Sequence, residues 1–148
     1  MAVAVDLKGR AYPDTEPYLV GREKVREFAR AVGSRDPLSL DHEAARAAGH
    51  PDVVAPPTFA VVVQDLTLAQ LLGDETAGVD LSRVVHGDQR FRYSRPIVAG
   101  DLLVAAMTVT DVRTLGGNAM VTAESVVTDS EGAHVVTAVS TLVVRGDA

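Results

Sequence analysis

The sequence has 148 residues, 47% hydrophobic and 23% charged, with a net charge of −6 and no cysteine. That length suits a single domain, residues 1–148, with a real core, and the apolar content excludes a disordered chain. The lack of cysteine removes disulfides and thiolate metal sites, and the lack of a clustered basic face argues against nucleic acid.

The first ten residues carry Asp6 and Lys8 inside a short apolar run and have no signal-peptide architecture. No apolar stretch reaches membrane-spanning length, so the expected location is the cytoplasm, without membrane insertion. Residues 1–17, with Gly9, Pro13 and Pro17, read as an irregular lead-in, and Tyr18 to Gly21 as a short strand. From Arg22, apolar residues at Val25, Phe28, Ala29 and Val32 follow helical spacing, and Gly33 supplies a stop. Residues 33–40 read as a polar loop. Asp41 is a good N-cap for a short helix over 42–48, closed by Gly49.

The segment from Pro56 to Gly73 is the most informative. Proline suits a helix start and glycine the position past its end. Most residues between them are apolar on every side, so this helix must be enclosed by protein. Phe59, Val62, Val63 and Leu66 read as core positions, with Gln64 and Asp65 as the one stripe reaching solvent or a partner.

After a loop over 73–82 the chain turns strand-like. Residues 83–95 place Phe91 and Tyr93 on one face and Arg90, Arg92 and Arg95 on the other, a solvated row. Residues 101–115, 119–128 and 133–145 follow, separated by Gly116-Gly117-Asn118 and by Asp129-Ser130-Glu131-Gly132, and predict an antiparallel meander. One dominant buried helix, preceded by short helices and followed by long strands, is α+β in class. A sheet curled around a helix leaves an edge to pair or a face to cover, which predicts a dimer.

Gly33-Ser34-Arg35-Asp36-Pro37-Leu38-Ser39 resembles the hydratase motif of MaoC-like hot-dog enzymes, Gly-Asp-x-Asn-Pro-Leu-His. Two further pieces are similar to the N-terminal-type branch of that family. One is Ala55-Pro56-Pro57-Thr58-Phe59; the other is His86-Gly87-Asp88-Gln89-Arg90-Phe91, followed by Arg95-Pro96 and Ala99-Gly100-Asp101. The resemblance covers roughly residues 17 to 145. It implies a hot-dog fold, a long central helix wrapped by a curved antiparallel sheet. It also implies reversible dehydration of (3R)-hydroxyacyl groups on acyl carrier protein or coenzyme A, with no cofactor and no metal. In the family the motif Asp and His act as acid and base, and the helix start binds the thioester carbonyl.

This sequence departs from the motif where the chemistry resides. Ser34 stands at the Asp position and Ser39 at the His position. A serine hydroxyl does not titrate near neutral pH, so neither can replace a general acid or base. Pro56 and Pro57 also lack the N–H groups that a helix start offers, leaving those of Thr58 and Phe59. The pattern resembles the non-catalytic subunits of heterodimeric dehydratases, in which a sister MaoC-like subunit carries the Asp and His. The implied role is to supply the interface and part of the acyl tunnel.

Other residues keep rival readings open. His86, beside Gly87, is expected near the dimer interface as a strand histidine at a bend, with Asp88 and Gln89 orienting it. It is also the first substitute acid–base group. Asp65 resembles the helix carboxylate of hot-dog acyl-CoA thioesterases. His42, His50 and His134 read as surface or capping residues. A register slip pairing Asp36 with Asp41 or His42 would discard the Gly33 and Pro37 matches. Thr58, Phe59, Val62, Val63, Leu66, His86 and Gly87 are the expected acyl-contacting set, since a hydrocarbon tail accepts the same walls as a core. The alternatives to the silent subunit are a self-sufficient hydratase or thioesterase using His86 or Asp65, and a homomeric acyl-binding scaffold.

Overall fold

A computed structural model describes residues 2–147. Its strands are β1 (Tyr18–Leu19), β2 (Val84–Tyr93), β3 (Leu102–Leu115), β4 (Asn118–Thr128) and β5 (His134–Val144). They form one antiparallel sheet in the order β1-β3-β4-β5-β2. The expected meander is β3, β4 and β5. Its first hairpin turns on Gly116 and Gly117, both at positive φ, as a two-residue turn between twisted strands requires. The helices are α1 (Arg22–Ala31), α2 (Pro37–Leu40), α3 (His42–Ala47) and α4 (Ala60–Gly73). The sheet curls around α4, which is the hot-dog architecture.

The two edges of this sheet differ. The irregular lead-in runs along β3, where the amides of Gly9, Tyr12 and Thr15 donate to the carbonyls of Val109, Met107 and Ala105. The chain thus closes that edge itself. At the other edge lies β2, whose residues Val85 to Asp88 are exposed. Its outer backbone groups have no neighbouring strand, a condition that invites pairing with another chain.

Helix α4 buries Ala60, Val63, Gln64, Thr67 and Leu71, a stripe at i, i+3, i+4, i+7 and i+11. This corrects the expected orientation. Gln64 is 1% exposed, whereas Leu66 is 39% exposed. The cause is polar complementarity under the helix. Gln64 meets the Ala138 carbonyl and the Ser140 hydroxyl of β5, and the Thr67 hydroxyl lies 2.8 Å from that of Ser125 on β4. Buried polar groups are kept only when so paired. The helix is also not enclosed on all sides. Asp65, Leu66 and Ala69 lie on a face that the sheet does not cover.

Helix α1 buries Val25 and Ala29, but Val32 is exposed. The helix ends at Ala31, and Gly33 at φ +73 turns the chain. The Ser34 amide bonds back to Ala29 and the Gly33 amide to Arg30, a Schellman closure. The expected polar loop over 33–40 instead contains α2. Pro37 occupies its first turn, and the Asp36 carboxylate accepts from the Leu38 amide. Asp41 caps α3 as expected. Along β2, Phe91 and Tyr93 are half-buried while Arg90 and Arg92 are exposed. Arg95 departs from that row. It lies past the strand end and is clamped by Asp101 and Asp129.

Arg22, at the start of α1, grips Asp52 through two hydrogen bonds of 3.0 and 2.8 Å. Asp52 also accepts from the Val53 amide. This fork ties α1 to the segment that leads into α4. The Arg22 guanidinium and the backbone amide pull the Asp52 carboxyl down to about 2, against a partial desolvation that raises it. A depressed folded-state pKa gives stability that is complete above the unfolded value of 3.8 and lost as pH falls through about 2. Asp52→Asn should therefore cost on the order of 1 kcal/mol at pH 7, measured by urea unfolding, and progressively less below pH 4. An equal deficit at pH 7 and at pH 2 would contradict this linkage.

Candidate functional site

A cleft of about 500 Å³ opens where α2, the start of α4 and the end of β2 meet. Ser34, Asp36, Ser39, Val54, Pro57 and Arg95 are among its lining residues. The 53–55 segment forms its floor. Its amides and carbonyls bond to Leu38 of α2 on one side and to Ile97 and Ala99 on the other. The fold therefore brings together Ser34, Ser39 and the proline-led helix start that the sequence analysis singled out separately.

The side chains of Ser34, Asp36 and Ser39 in the motif loop each have a local partner. Ser39 is 3% exposed and its hydroxyl donates to the Val54 carbonyl at 2.5 Å. Ser34 Oγ accepts from the Asp36 amide at 3.3 Å, and Asp36 caps α2. The Tyr93 hydroxyl donates to the Pro57 carbonyl at 2.5 Å, and burial pushes its pKa up to about 12. Tyr93 thus stays protonated at neutral pH. Arg95 holds Asp101 through two bonds and also reaches Asp129, which fixes the cleft's outer wall. The pairing with Asp101 raises the Arg95 pKa, so its charge is permanent. The cleft is a cavity with neutral, spoken-for hydroxyls and a locked cation at its rim.

A second polar group lies between α4 and β2. Gln64 donates Nε2–H to the Ala138 carbonyl at 3.1 Å, and Gln89 Nε2 donates to Gln64 Oε1 at 2.8 Å. Ser140 Oγ reaches both amide oxygens. His86 Nε2 lies 3.1 Å from Gln89 Oε1. Asp65 is near enough to feel the His86 charge; burial raises its carboxyl pKa and His86 opposes that rise. The two substitute candidates, one on a helix and one on a strand, lie on the same seam, joined through Gln64, which precedes Asp65, and Gln89. Gly87 sits at a β-bulge between His86 and Asp88, the bend expected there.

The remaining candidates disperse. Phe59 and Val63 are fully enclosed in the core, Val62 is half-buried, and Thr58 and Leu66 are exposed. His42 and His50 are half-buried around α3. His134 is exposed and bridges Ser94 and Thr137. Alternation placed Tyr93 with Phe91 on one face of its strand but not in a site, and Ser140 gains meaning only from Gln64 above it. Among the described residues, no group of three or more His, Cys, Asp or Glu is placed to hold a metal ion. No helix there is long and apolar enough to cross a membrane.

Comparison with known proteins agrees with this geometry. The family model "FAS1-like, dehydratase domain region" matches residues 6–138. A UPF0336 protein of Clavibacter michiganensis is 68% identical over 147 residues, covering 99% of both chains. Another, from Leifsonia xyli, is 67% identical over 141 residues and 95% of each chain. Among solved structures, the C-terminally truncated HadBC (3R-hydroxyacyl-ACP dehydratase) complex of Mycobacterium tuberculosis aligns with a TM-score of 0.81. It shares 34% identity over 95% of this chain and 99% of that one. A MaoC-like dehydratase aligns at 0.87 with 35% identity, over 95% of this chain and 43% of that one. With its helix inside a curled sheet, its motif loop over a cleft and these matches along nearly its whole length, the chain belongs to the MaoC-like hot-dog dehydratase family, within the UPF0336 group.

Proposed function

We propose that this chain is the non-catalytic subunit of a two-chain (3R)-hydroxyacyl-thioester dehydratase of fatty-acid elongation in the cytoplasm. Its partner is a MaoC-like hot-dog chain that carries the motif Asp and His. The substrate travels on acyl carrier protein or coenzyme A, and this chain stabilises the partner and holds part of the acyl group. One observation carries the reading: the motif positions hold Ser34 and Ser39, and the Ser39 hydroxyl is committed to the Val54 carbonyl. General acid–base groups contribute about 10²–10⁴-fold each, so a site without them is silent on its own. The open β2 edge and the uncovered face of α4 support a covering partner. The likeness to the HadBC complex, a 3R-hydroxyacyl-ACP dehydratase, supports the chemistry.

The test is an assay of the purified chain against crotonyl-CoA and longer enoyl thioesters, alone and co-expressed with such a partner. The expected result is no hydration alone, copurification of the two chains and hydration by the pair. Strong hydration by this chain alone would reject the reading.

The placement of Asp65 and His86 on one seam, linked through Gln64 and Gln89, favours one alternative, a self-sufficient hydratase or thioesterase at the α4–β2 seam. Hydration by the lone chain that disappears in His86→Ala, or hydrolysis that disappears in Asp65→Asn, would establish it.

A further inference from the structure

A glutamine on the inward stripe of an otherwise apolar helix must be fully paired to be tolerated. Gln64 is, and its pairing has a direction. The Ala138 carbonyl can only accept, so the Gln64 side chain must turn its NH₂ toward it. That leaves Gln64 Oε1 facing Gln89 and Ser140, and an oxygen there demands a donor. Gln89 must then present its own NH₂ to Gln64, which turns Gln89 Oε1 toward His86. The ring nitrogen facing that oxygen must carry a hydrogen. One backbone carbonyl in the sheet thus sets the polarity of a chain of amides that ends at an exposed imidazole.

We infer that Gln64, Gln89 and Ser140 are positioning residues that hold His86 with Nε2 protonated, making Nδ1 the atom that exchanges a proton at the α4–β2 seam. The relay serves both charge states of the ring, since Nε2–H is donated to Gln89 in each. Proton gain and loss are thereby confined to Nδ1, without any rearrangement of the core. Asp65 on α4 is a carboxylate that couples to the ring, and the Asp88–Arg90 pair follows on the same strand as His86. The seam is the surface that a partner chain covers in the proposed assembly, so this inference rests on that reading for its substrate, a 3-hydroxyacyl or enoyl thioester. There Nδ1 takes a proton from, or returns it to, the substrate or a water beside it, with no change in redox state. The inference narrows that reading: the chain has no activity alone, but within the pair its imidazole adds one proton-exchanging group to the partner's motif Asp and His.

Two measurements on the full-length chain test this. Long-range ¹H–¹⁵N correlation of the neutral His86 ring should show the Nε2–H tautomer alone. Gln89→Leu, and Gln64→Leu through loss of the anchor, should convert it to a mixture, while Gln89→Asn should at least partly restore the bias. A mixed or Nδ1–H tautomer in the wild type, or a Gln89→Leu spectrum like the wild type, would overturn the inference. In the co-expressed two-chain complex, His86→Ala should lower kcat/KM for crotonyl-CoA hydration by about 10²-fold, and Gln89→Leu by a smaller factor. Complex activity within twofold of wild type in His86→Ala would remove the proton-exchange role while leaving the silent-subunit reading intact. Hydration by this chain alone, abolished in His86→Ala, would instead reject that reading and keep the role of Nδ1.

Discussion

Phe59→Ala should lower the unfolding free energy by about 3–5 kcal/mol, the range for removing a fully enclosed aromatic side chain. Phe59 is 0% exposed and sits in the 3₁₀ turn Pro57–Phe59, directly ahead of α4. Its ring meets that of Phe28 edge-on, at a centroid distance of 5.3 Å and an angle of 81°. It shares a core cluster with Val25 of α1, Val53 of the cleft floor and Val136 of β5. One side chain therefore joins both helices, the floor and the sheet. Phe28 and Phe91 pack against the same cluster but are anchored on α1 and β2, so the gap should stay largely unfilled. Domains of this kind are stable by only about 5–15 kcal/mol, so the melting temperature should fall by roughly 10 °C. Urea unfolding of Phe59→Ala and Phe59→Leu gives the answer. A loss below about 1 kcal/mol for the alanine variant would show that the cluster closes over the cavity.

Replacing Ser34 by Asp together with Ser39 by His should raise hydratase activity of this chain on crotonyl-CoA by about 10²-fold or more over the wild type. The cleft of about 500 Å³ adjoins both positions and has room for the larger side chains. The Val54 carbonyl that now accepts from the Ser39 hydroxyl can accept from an imidazole N–H at that site. Such a bond would fix the ring's tautomer and leave its other nitrogen for proton transfer. The Asp36 amide, now bonded to Ser34 Oγ, offers the introduced carboxylate a ready donor. The gain should stop well short of a full enzyme. Pro56 and Pro57 have no N–H, and a missing oxyanion donor costs about 10²–10³-fold. A double variant that folds, as judged by circular dichroism, yet hydrates no faster than wild type would refute the idea that two side chains separate this cleft from a working one.

Much of the fold is legible in the sequence. Helix α1, the cap at Asp41, the central helix and the long strands all appear where periodicity and turn residues placed them, because those signals are local. The motif was recognisable around Gly33 and Pro37, but the helix α2 inside it was not, since a four-residue turn has no periodicity to show. Orientation was the weak point. In α4 the apolar residues run around the whole circumference, so hydrophobicity gives the helix no preferred side. Hydrogen-bond partners on β4 and β5 choose it, drawing Gln64 and Thr67 inward and leaving Leu66 outside. Arg95 shows the same limit. Its place in an alternating row suggested a solvated face, but the strand ends at Tyr93 and two distant carboxylates claim it.

The amino-acid sequence by itself determined the class of fold, the place of the dominant helix and the loss of titratable groups from the motif, because propensity, capping and residue chemistry act over a few positions. Tertiary structure alone decided that the Ser39 hydroxyl is occupied by Val54, that the lead-in closes one sheet edge while β2 stays open, and that Gln64 and Gln89 link α4 to His86. Those outcomes depend on groups tens of residues apart, and a hydrogen bond or a shared field exists only once folding has set the distance.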